Sequence, residues 1–411
     1  MKEKDLVLGI DLGTSGVRLA IINNNQKLIY SASEHYLKGL EHAKDWSNTC
    51  KSLILKIPSE IKSRLIACSI DGTSGTLLGC DYEGNPIGLA IPYYNQCINK
   101  YTKLEKLFNK KSSWFYTNSS IARAFHLIDK YGKDILLRHQ ADWISGWFLD
   151  DWSWGEEGNN IRFGLNLMKK SWPNKLKDLG WNKSLPIIVP SGSLIGEIAP
   201  SKAKELGLPS SLKIIAGTTD SNASVLATDA TSSDGITVLG STIVIKRFVK
   251  HPLKGVGITN HLVGGRWLAG GASNTGCIIL KKFFNDQLLA ELSRQIDPET
   301  NSGLSYLPLT TEGERFPIND PFLRPILEPR PISDSLYLHG ILEGLAKIEA
   351  LGWEKISEVT LDNPKKIITI GGGSRNPQWR RIRERMIGVP IHTCTNQPAE
   401  GVARLALKTM S

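Results

Sequence analysis

Asp11-Leu12-Gly13-Thr14-Ser15-Gly16-Val17-Arg18 lies between two short apolar runs, Leu6 to Ile10 and Val17 to Ile22, and a third run follows from Lys27 to Ala32. Such runs, bounded by Gly and polar residues, read as strands. Gly-Thr-Ser-Gly is then the tight turn of a hairpin, with a carboxylate at the end of its first strand. Glycines allow backbone N–H groups to approach phosphate oxygens closely, and the hydroxyls add donors. The carboxylate suits Mg²⁺ held through water, because this ion gives up its waters reluctantly. An ordinary hairpin with a Gly-rich turn is the competing reading.

The pattern recurs along the chain. A strand from Leu65 to Ile70 ends in Asp71-Gly72-Thr73-Ser74-Gly75, and another run, Thr76 to Asp81, follows. Strand Lys213 to Ala216 delivers Gly217-Thr218-Thr219-Asp220 and a helix from Ser221 to Ala227. Ile236 to Leu239, Gly240-Ser241-Thr242 and Ile243 to Arg247 repeat the opening plan of strand, Gly-hydroxyl turn, strand. The second half therefore reads as an internal duplication of the first. Further helices are expected at Ser47 to Lys62, Ser201 to Leu206, Gly276 to Leu292 and Ser335 to Gly352, and from about Ala399 to the end. A Trp-rich helical pattern runs from about Ser112 to Trp172. Strand Lys366 to Ile370 leads into Gly371-Gly372-Gly373-Ser374-Arg375-Asn376, a bare-backbone turn on which a flat base could lie.

A chain of 411 residues is too long for one compact core, so two domains are expected. Hydrophobic content of 41% and charged content of 22% describe an ordinary globular chain without a membrane-length apolar stretch. The opening Met1-Lys2-Glu3-Lys4-Asp5 is short and acidic, unlike a signal or transit peptide, which points to the cytoplasm. The net charge of +10 comes from scattered residues rather than a basic tract. The densest group, Arg380, Arg381, Arg383 and Arg385, reads as a solvated helix face, so neither a nucleic-acid nor a membrane partner is expected. The six cysteines show no zinc or C-x-x-C spacing and read as reduced thiols. No G-x-x-x-x-G-K-[ST] or protein-kinase signature is present.

Taken in order, these segments resemble the FGGY family of carbohydrate kinases, within the actin/hexokinase/Hsp70 superfamily. The resemblance spans nearly the whole chain: "DLGTSGVR" for a first phosphate loop, "GEIAPSKAKELGLP…IIAGTTDSNAS" for the segment with the catalytic aspartate, and "GITVLGSTIVIK" for a second phosphate loop. "WLAGGASNTG" follows it, then "ITIGGGSRNPQWRRI" for the adenosine loop and "PAEGVARLAL" for the closing helix. It implies an α/β fold of two actin-like (ribonuclease H-like) domains, residues 1–228 and 229–411, with nucleotide and sugar in a central cleft and helix 399–411 packing back on the first domain.

The resemblance also implies roles. Asp220 would be the general base for a sugar hydroxyl, its competing role being to cap the helix that follows. Gly13, Thr14, Ser15, Gly240, Ser241 and Thr242 would hold the phosphates of ATP. Gly276, Gly372, Gly373 and Asn376 would serve the rest of the nucleotide. Asp11 would position Mg²⁺, and Asp11, Ser74, Asn95 and Asp220 would face the substrate; Asp142 is a further pocket candidate. The chain departs from the family at Tyr93-Tyr94-Asn95, where Trp-x-Asp is usual, and after Gly313-Glu314-Arg315-Phe316-Pro317. Its compact length and Asp-Gly-Thr-Ser-Gly resemble the short cyanobacterial and plant branch associated with D-ribulose. The expected reaction is thus ATP-dependent phosphorylation of a ketopentose by a monomer or homodimer. D-xylulose or another polyol is the alternative, and a non-catalytic sugar or nucleotide sensor is the alternative of another class.

Overall fold

Seven consecutive buried residues, Leu6–Leu12, form the central strand β1 of the first sheet. A strand buried on every residue needs cover on both faces. The computed structural model describes residues 5–107 and 119–411. The chain divides into two compact units: Met1–Ala227 with Leu262–Gly265 and Asn396–Ser411, and Thr228–His261 with Arg266–Thr395. The second unit thus ends at Thr395 rather than at Ser411, and the closing helix lies with the first.

In the first unit β1 pairs antiparallel with β2 (Gly16–Asn23), which pairs with β3 (Leu28–His35). On its other side β1 pairs parallel with β4 (Leu65–Gly72), followed by β5 (Leu194–Glu197) at the edge and β6 (Lys213–Thr219) between them. The order is β3-β2-β1-β4-β6-β5. One face is covered by helix α1 (Ala43–Leu55) through Trp46, Cys50, Leu53 and Ile54. Between β4 and β6 the chain adds α2 (Ser120–Tyr131), α3 (Gln140–Leu149) and the single turn α4 (Glu157–Asn160). After β6 comes α5 (Asp220–Leu226).

The second unit repeats the plan. Strand β7 (Asp234–Leu239) pairs antiparallel with β8 (Ile243–Val249), and β9 (Ile258–Val263) and β10 (Arg266–Ala272) extend that side. Strand β11 (Lys366–Ile370) is parallel to β7, and β12 (Ile391–Thr393) is parallel to β11. The order is β9-β10-β8-β7-β11-β12. Its helices are α6 (Ile278–Phe283), α7 (Asp286–Arg294), α8 (Asp334–Thr360) and α9 (Pro377–Ile387). The closing helix α10 (Pro398–Met410) covers the second face of the first sheet. It lies on bare backbone at Gly9, where a Cβ would stand 1.9 Å from the Ala399 carbonyl.

Several local expectations are corrected. The stretch from Ser112 to Trp172 is not one helical region: residues 112–118 lie outside the described residues, and short strands at Leu136–His139 and Trp154–Glu156 interrupt the rest. Gly132 (φ +87°) ends α2, and Asp150 in the left-handed region ends α3. The helix expected from Gly276 to Leu292 is two helices, because Phe284 is extended and Asn285 caps the second through Leu288 N. Helix α8 runs past Gly352, whose Cβ position would be 2.9 Å from Ile245 Cδ1, so that glycine serves close packing rather than termination. The arginine-rich face of α9 is only partly solvated. Arg383 is buried and donates twice to Glu349, at 2.6 and 2.7 Å. Glu349 also accepts from Thr237, and Arg383 donates to Thr369, which ties α8 and α9 to the two central parallel strands.

Candidate active site

Parallel pairing brings three carboxyl groups to one end of the first sheet. Asp11 on β1 is the register partner of Asp71 on β4, and Asp71 in turn pairs with Thr218 on β6, two residues before Asp220. Asp11 is 1% exposed, and its Oδ2 accepts from Arg18 Nη1 at 2.9 Å across the hairpin. Asp71 is fully buried, and neither of its oxygens has a hydrogen-bond partner in its charged form. Burial first, then the charges of Asp11 and Asp220, hold the Asp71 carboxyl well above the usual carboxylate range; Arg18 offsets a part of this. Asp71 is the residue that the sequence reading missed. The signal was there: Asp71-Gly72-Thr73-Ser74-Gly75 repeats the Asp-x-Gly-Thr-Ser-Gly of residues 11–16 with one residue fewer.

Asp220 opens α5, half-buried, and Ser221 N donates to its Oδ1 at 2.7 Å. The cap of that helix is Thr219, whose hydroxyl accepts from Asn222 N. Capping therefore does not require the Asp220 carboxylate. Behind it, Asn222 Nδ2 donates to Thr218 Oγ1 at 3.3 Å, and Ser191 Oγ donates to the Gly217 carbonyl at 2.8 Å.

The two turns of the first unit are held differently from their tips. Gly13 N donates to Gly16 O, while Thr14 and Ser15 are exposed. In the second turn Thr73 donates through both N and Oγ1 to Gln140 Oε1, and Gln140 Nε2 donates to the Tyr36 hydroxyl. Since the Thr73 proton goes to Gln140, Thr76 is the donor in the 2.7 Å Thr73–Thr76 contact, and Thr76 accepts from Tyr93 N. Ser74 sits half-buried between these anchored residues. Asn95 is exposed, its N donating to the Pro92 carbonyl. Asp142 lines a small cavity together with Ser145, Glu156 and Asn159. It is 5% exposed and accepts from Glu156 N and Asn160 Nδ2, which pins α4.

In the second unit, the Gly240–Thr242 turn, Gly276 and the triple glycine come together. Cys277 N donates to Gly240 O, and Ile278 N to Ser241 O. Gly276 is not part of a helix; it lies two residues before α6, where a Cβ would stand 2.4 Å from Ser241 O. A Cβ on Gly373 would meet the Trp379 ring at 2.6 Å and Cys277 Sγ at 2.8 Å. Gly372 is exposed and faces open space. The Asn376 side chain is engaged by the fold, its Oδ1 capping α9 through Trp379 N and its Nδ2 donating to Ser293 Oγ. Glu314 likewise clasps its own loop to the end of β10 through Ser273 Oγ and Asn274 N.

Among the described residues no three His, Cys, Asp or Glu side chains are placed to hold a metal ion by themselves. The donor set nevertheless fits Mg²⁺. The Asp11 carboxylate, just before the turn that exposes Thr14 and Ser15, suits an ion that takes one or two carboxylates and keeps its other positions for water and phosphate. Among the described residues no helix is long and apolar enough to cross a membrane.

Two mixed α/β units with the same strand plan, each with a Gly-hydroxyl turn between its first two strands, form the fold of the actin-like sugar kinases. Residues 233–410 match the model of the FGGY family of carbohydrate kinases, C-terminal domain. A xylulose kinase from Bacillus subtilis is 24% identical, over 97% of this chain and 87% of its own length. The solved structure of a ligand-bound xylulose kinase from Lactobacillus acidophilus superposes with a TM-score of 0.82 at 20% identity, over 99% of this chain and 89% of that one. Plasmodium falciparum glycerol kinase with ADP gives 0.84 at 14% identity, over 99% and 90%. Residues 233–410 thus carry the C-terminal domain of the FGGY carbohydrate kinases, and over nearly its whole length the chain is similar to sugar kinases that are phosphotransferases.

Proposed function

We propose that this kinase transfers the γ-phosphoryl group of ATP to a ketopentose, D-ribulose giving D-ribulose 5-phosphate. The observation that carries the reading is the position of Asp220, at the end of β6 next to the Asp11–Asp71 pair, on a helix capped by another residue. In this reading Asp220 accepts the proton of the attacking hydroxyl as the new O–P bond forms and the bond between the γ-phosphorus and the bridging oxygen breaks, releasing ADP. Phosphoryl transfer asks mainly for alignment and charge stabilisation, with a proton acceptor late in the step. Gly13, Thr14 and Ser15 would offer N–H and hydroxyl donors to phosphate, as would Gly240, Ser241 and Thr242. Gly372 and Gly373 present backbone to adenosine, with Asn376 acting through the helix it caps. Asp11 would hold Mg²⁺ through water, and the ion when bound neutralises phosphate charge. Ser74 and Asn95 would contact the sugar.

D-ribulose rests on Asp71-Gly72-Thr73-Ser74-Gly75, which resembles the branch of the family associated with that sugar. The relatives named as xylulose kinases favour D-xylulose as the second reading. The test is ADP release coupled to detection of the sugar phosphate, with Mg-ATP and a panel of D-ribulose, D-xylulose, L-ribulose, ribitol and glycerol. Turnover highest on D-ribulose supports the assignment. Turnover highest on D-xylulose replaces the substrate while keeping the chemistry. Tight ATP binding without turnover on any of the five overturns the ketopentose reading and favours a sensor.

A further inference from the structure

Arg123, on α2, is fully buried, yet among the described residues no carboxylate pairs with it. A buried cation without an anion is costly unless its N–H groups are satisfied. Here the planar fork of donors is directed at backbone carbonyls. Nε donates to Pro92 O at 3.0 Å and Nη1 to Gly75 O at 3.0 Å, while Nη2 donates to Tyr93 O and, at 3.3 Å, to Asn95 O. Burial pushes the guanidinium down to about 10, still far above neutrality.

The four carbonyls belong to two separate loops. Gly75 closes the turn that carries Ser74, in a left-handed conformation (φ +100°). Pro92, Tyr93 and Asn95 belong to the loop that presents the Asn95 side chain to solvent. Thr73, on the other side of Ser74, is fixed independently by Gln140, and Tyr93 N is fixed by Thr76. Ser74 is thus bracketed by two anchors, and one rigid group spans from its turn to Asn95. A buried aliphatic residue would fill the space without the cost of desolvating a charge, but it could not set the distance between two loops with four directional bonds.

We infer that Arg123 is a positioning residue that fixes the spacing of Ser74 and Asn95 and thereby sets which sugar stereoisomer the site accepts. The inference rests on the sugar-kinase reading of those two residues. A lysine at 123 keeps the charge but loses the fork, so both loops can shift while the phosphate turns at Gly13 and Gly240 remain as they are.

The test is the full kinetic description of Arg123→Lys on D-ribulose and D-xylulose, with thermal unfolding measured alongside. The expected result is a KM for the preferred sugar raised about ten- to hundredfold, as for lost hydrogen bonds to a charged group. ATP KM stays within about threefold, and the preference between the two sugars shrinks. Thr76→Val, which removes the anchor of Tyr93 N without touching a charge, is expected to move the same parameters less far, and it stands as the test if Arg123→Lys does not fold. Unchanged sugar KM and selectivity in the variant that folds would overturn the inference, as would an equal rise in both KM values with a lower unfolding temperature. Absence of sugar turnover in the wild type would instead remove the reading on which it rests.

Discussion

The two hairpin turns, Gly13–Gly16 and Gly240–Thr242, occupy the same place in sheets of the same plan, but the residues preceding them differ in kind. In the first unit Asp11 is paired across the hairpin with Arg18 and across the parallel ladder with Asp71. In the second unit the residue two before the turn's glycine is Val238, and its partners are Val244 and Ile370. One fold thus carries Asp11 and Asp71 on two paired strands of the first sheet and the aliphatic Val238 and Ile370 at the equivalent positions of its repeat. The second turn is built instead on close backbone contact, with Gly276 and Gly373 admitting no side chain. In the proposed function, proton and metal chemistry would fall to the first unit and nucleotide binding to the second.

This division can be broken most sharply at Asp220. Asp220→Asn is expected to lower kcat about 10²- to 10⁴-fold, the usual range for a general base, in a coupled ADP assay. Gly276→Ala puts a Cβ against the Ser241 carbonyl. Overpacking of about 1–3 kcal/mol there should weaken ATP roughly tenfold or more, with the sugar Kd from calorimetry unchanged. A smaller effect is expected at Gly372, where a Cβ has room in the protein itself. Gly372→Ala should leave unfolding unchanged and raise ATP KM by only about two- to fivefold, on the order of 0.5–1 kcal/mol; an unchanged KM would remove adenosine from that glycine.

Two stability measurements sharpen the comparison further. Asp71→Asn replaces a buried carboxyl by a neutral isostere, so the unfolding midpoint of the unliganded protein should rise by about 2–4 °C per kcal/mol gained; a fall would mean that the Asp71 proton is itself required by the fold. In the second unit Glu343 illustrates the opposite case. Burial alone would raise its carboxyl, but His339 at 3.5 Å and the Ser302 hydroxyl and N–H outweigh this and hold it down to about 2. A depressed carboxylate stabilises the fold above its unfolded value near 4.5, and that contribution is lost as pH falls towards 2. Thermal unfolding from pH 5 to 2 should therefore decline less steeply for Glu343→Gln than for wild type.

The strand–turn–strand plan and its repetition were legible because apolar runs and Gly-hydroxyl turns are local signals. The placement of Asp11 and Asp220 by the ends of their strands was legible for the same reason. The repeated Gly-Thr-Ser-Gly marks Asp71 in the sequence, but its place beside Asp11 comes from parallel pairing between strands more than fifty residues apart, which no local pattern encodes. Gly352 was read as a helix stop because a glycine's role in close packing depends on which residue faces it, here Ile245. The arginines of α9 failed similarly. Arg383 looks like its solvated neighbours in sequence, and only the position of Glu349 on α8 makes it a buried pair.

The central claim, that Asp220 performs proton chemistry and does not hold the ligands, is tested most directly in a single turnover. Asp220→Asn and wild type are mixed with Mg-ATP and the preferred sugar, the sugar phosphate is quantified by mass spectrometry, and calorimetry gives the Kd of each ligand. The account predicts Kd values within about twofold of wild type and a transfer rate lower by about 10²-fold or more. A variant that transfers phosphate at more than about a tenth of the wild-type rate, or one that loses ATP binding instead, would contradict it.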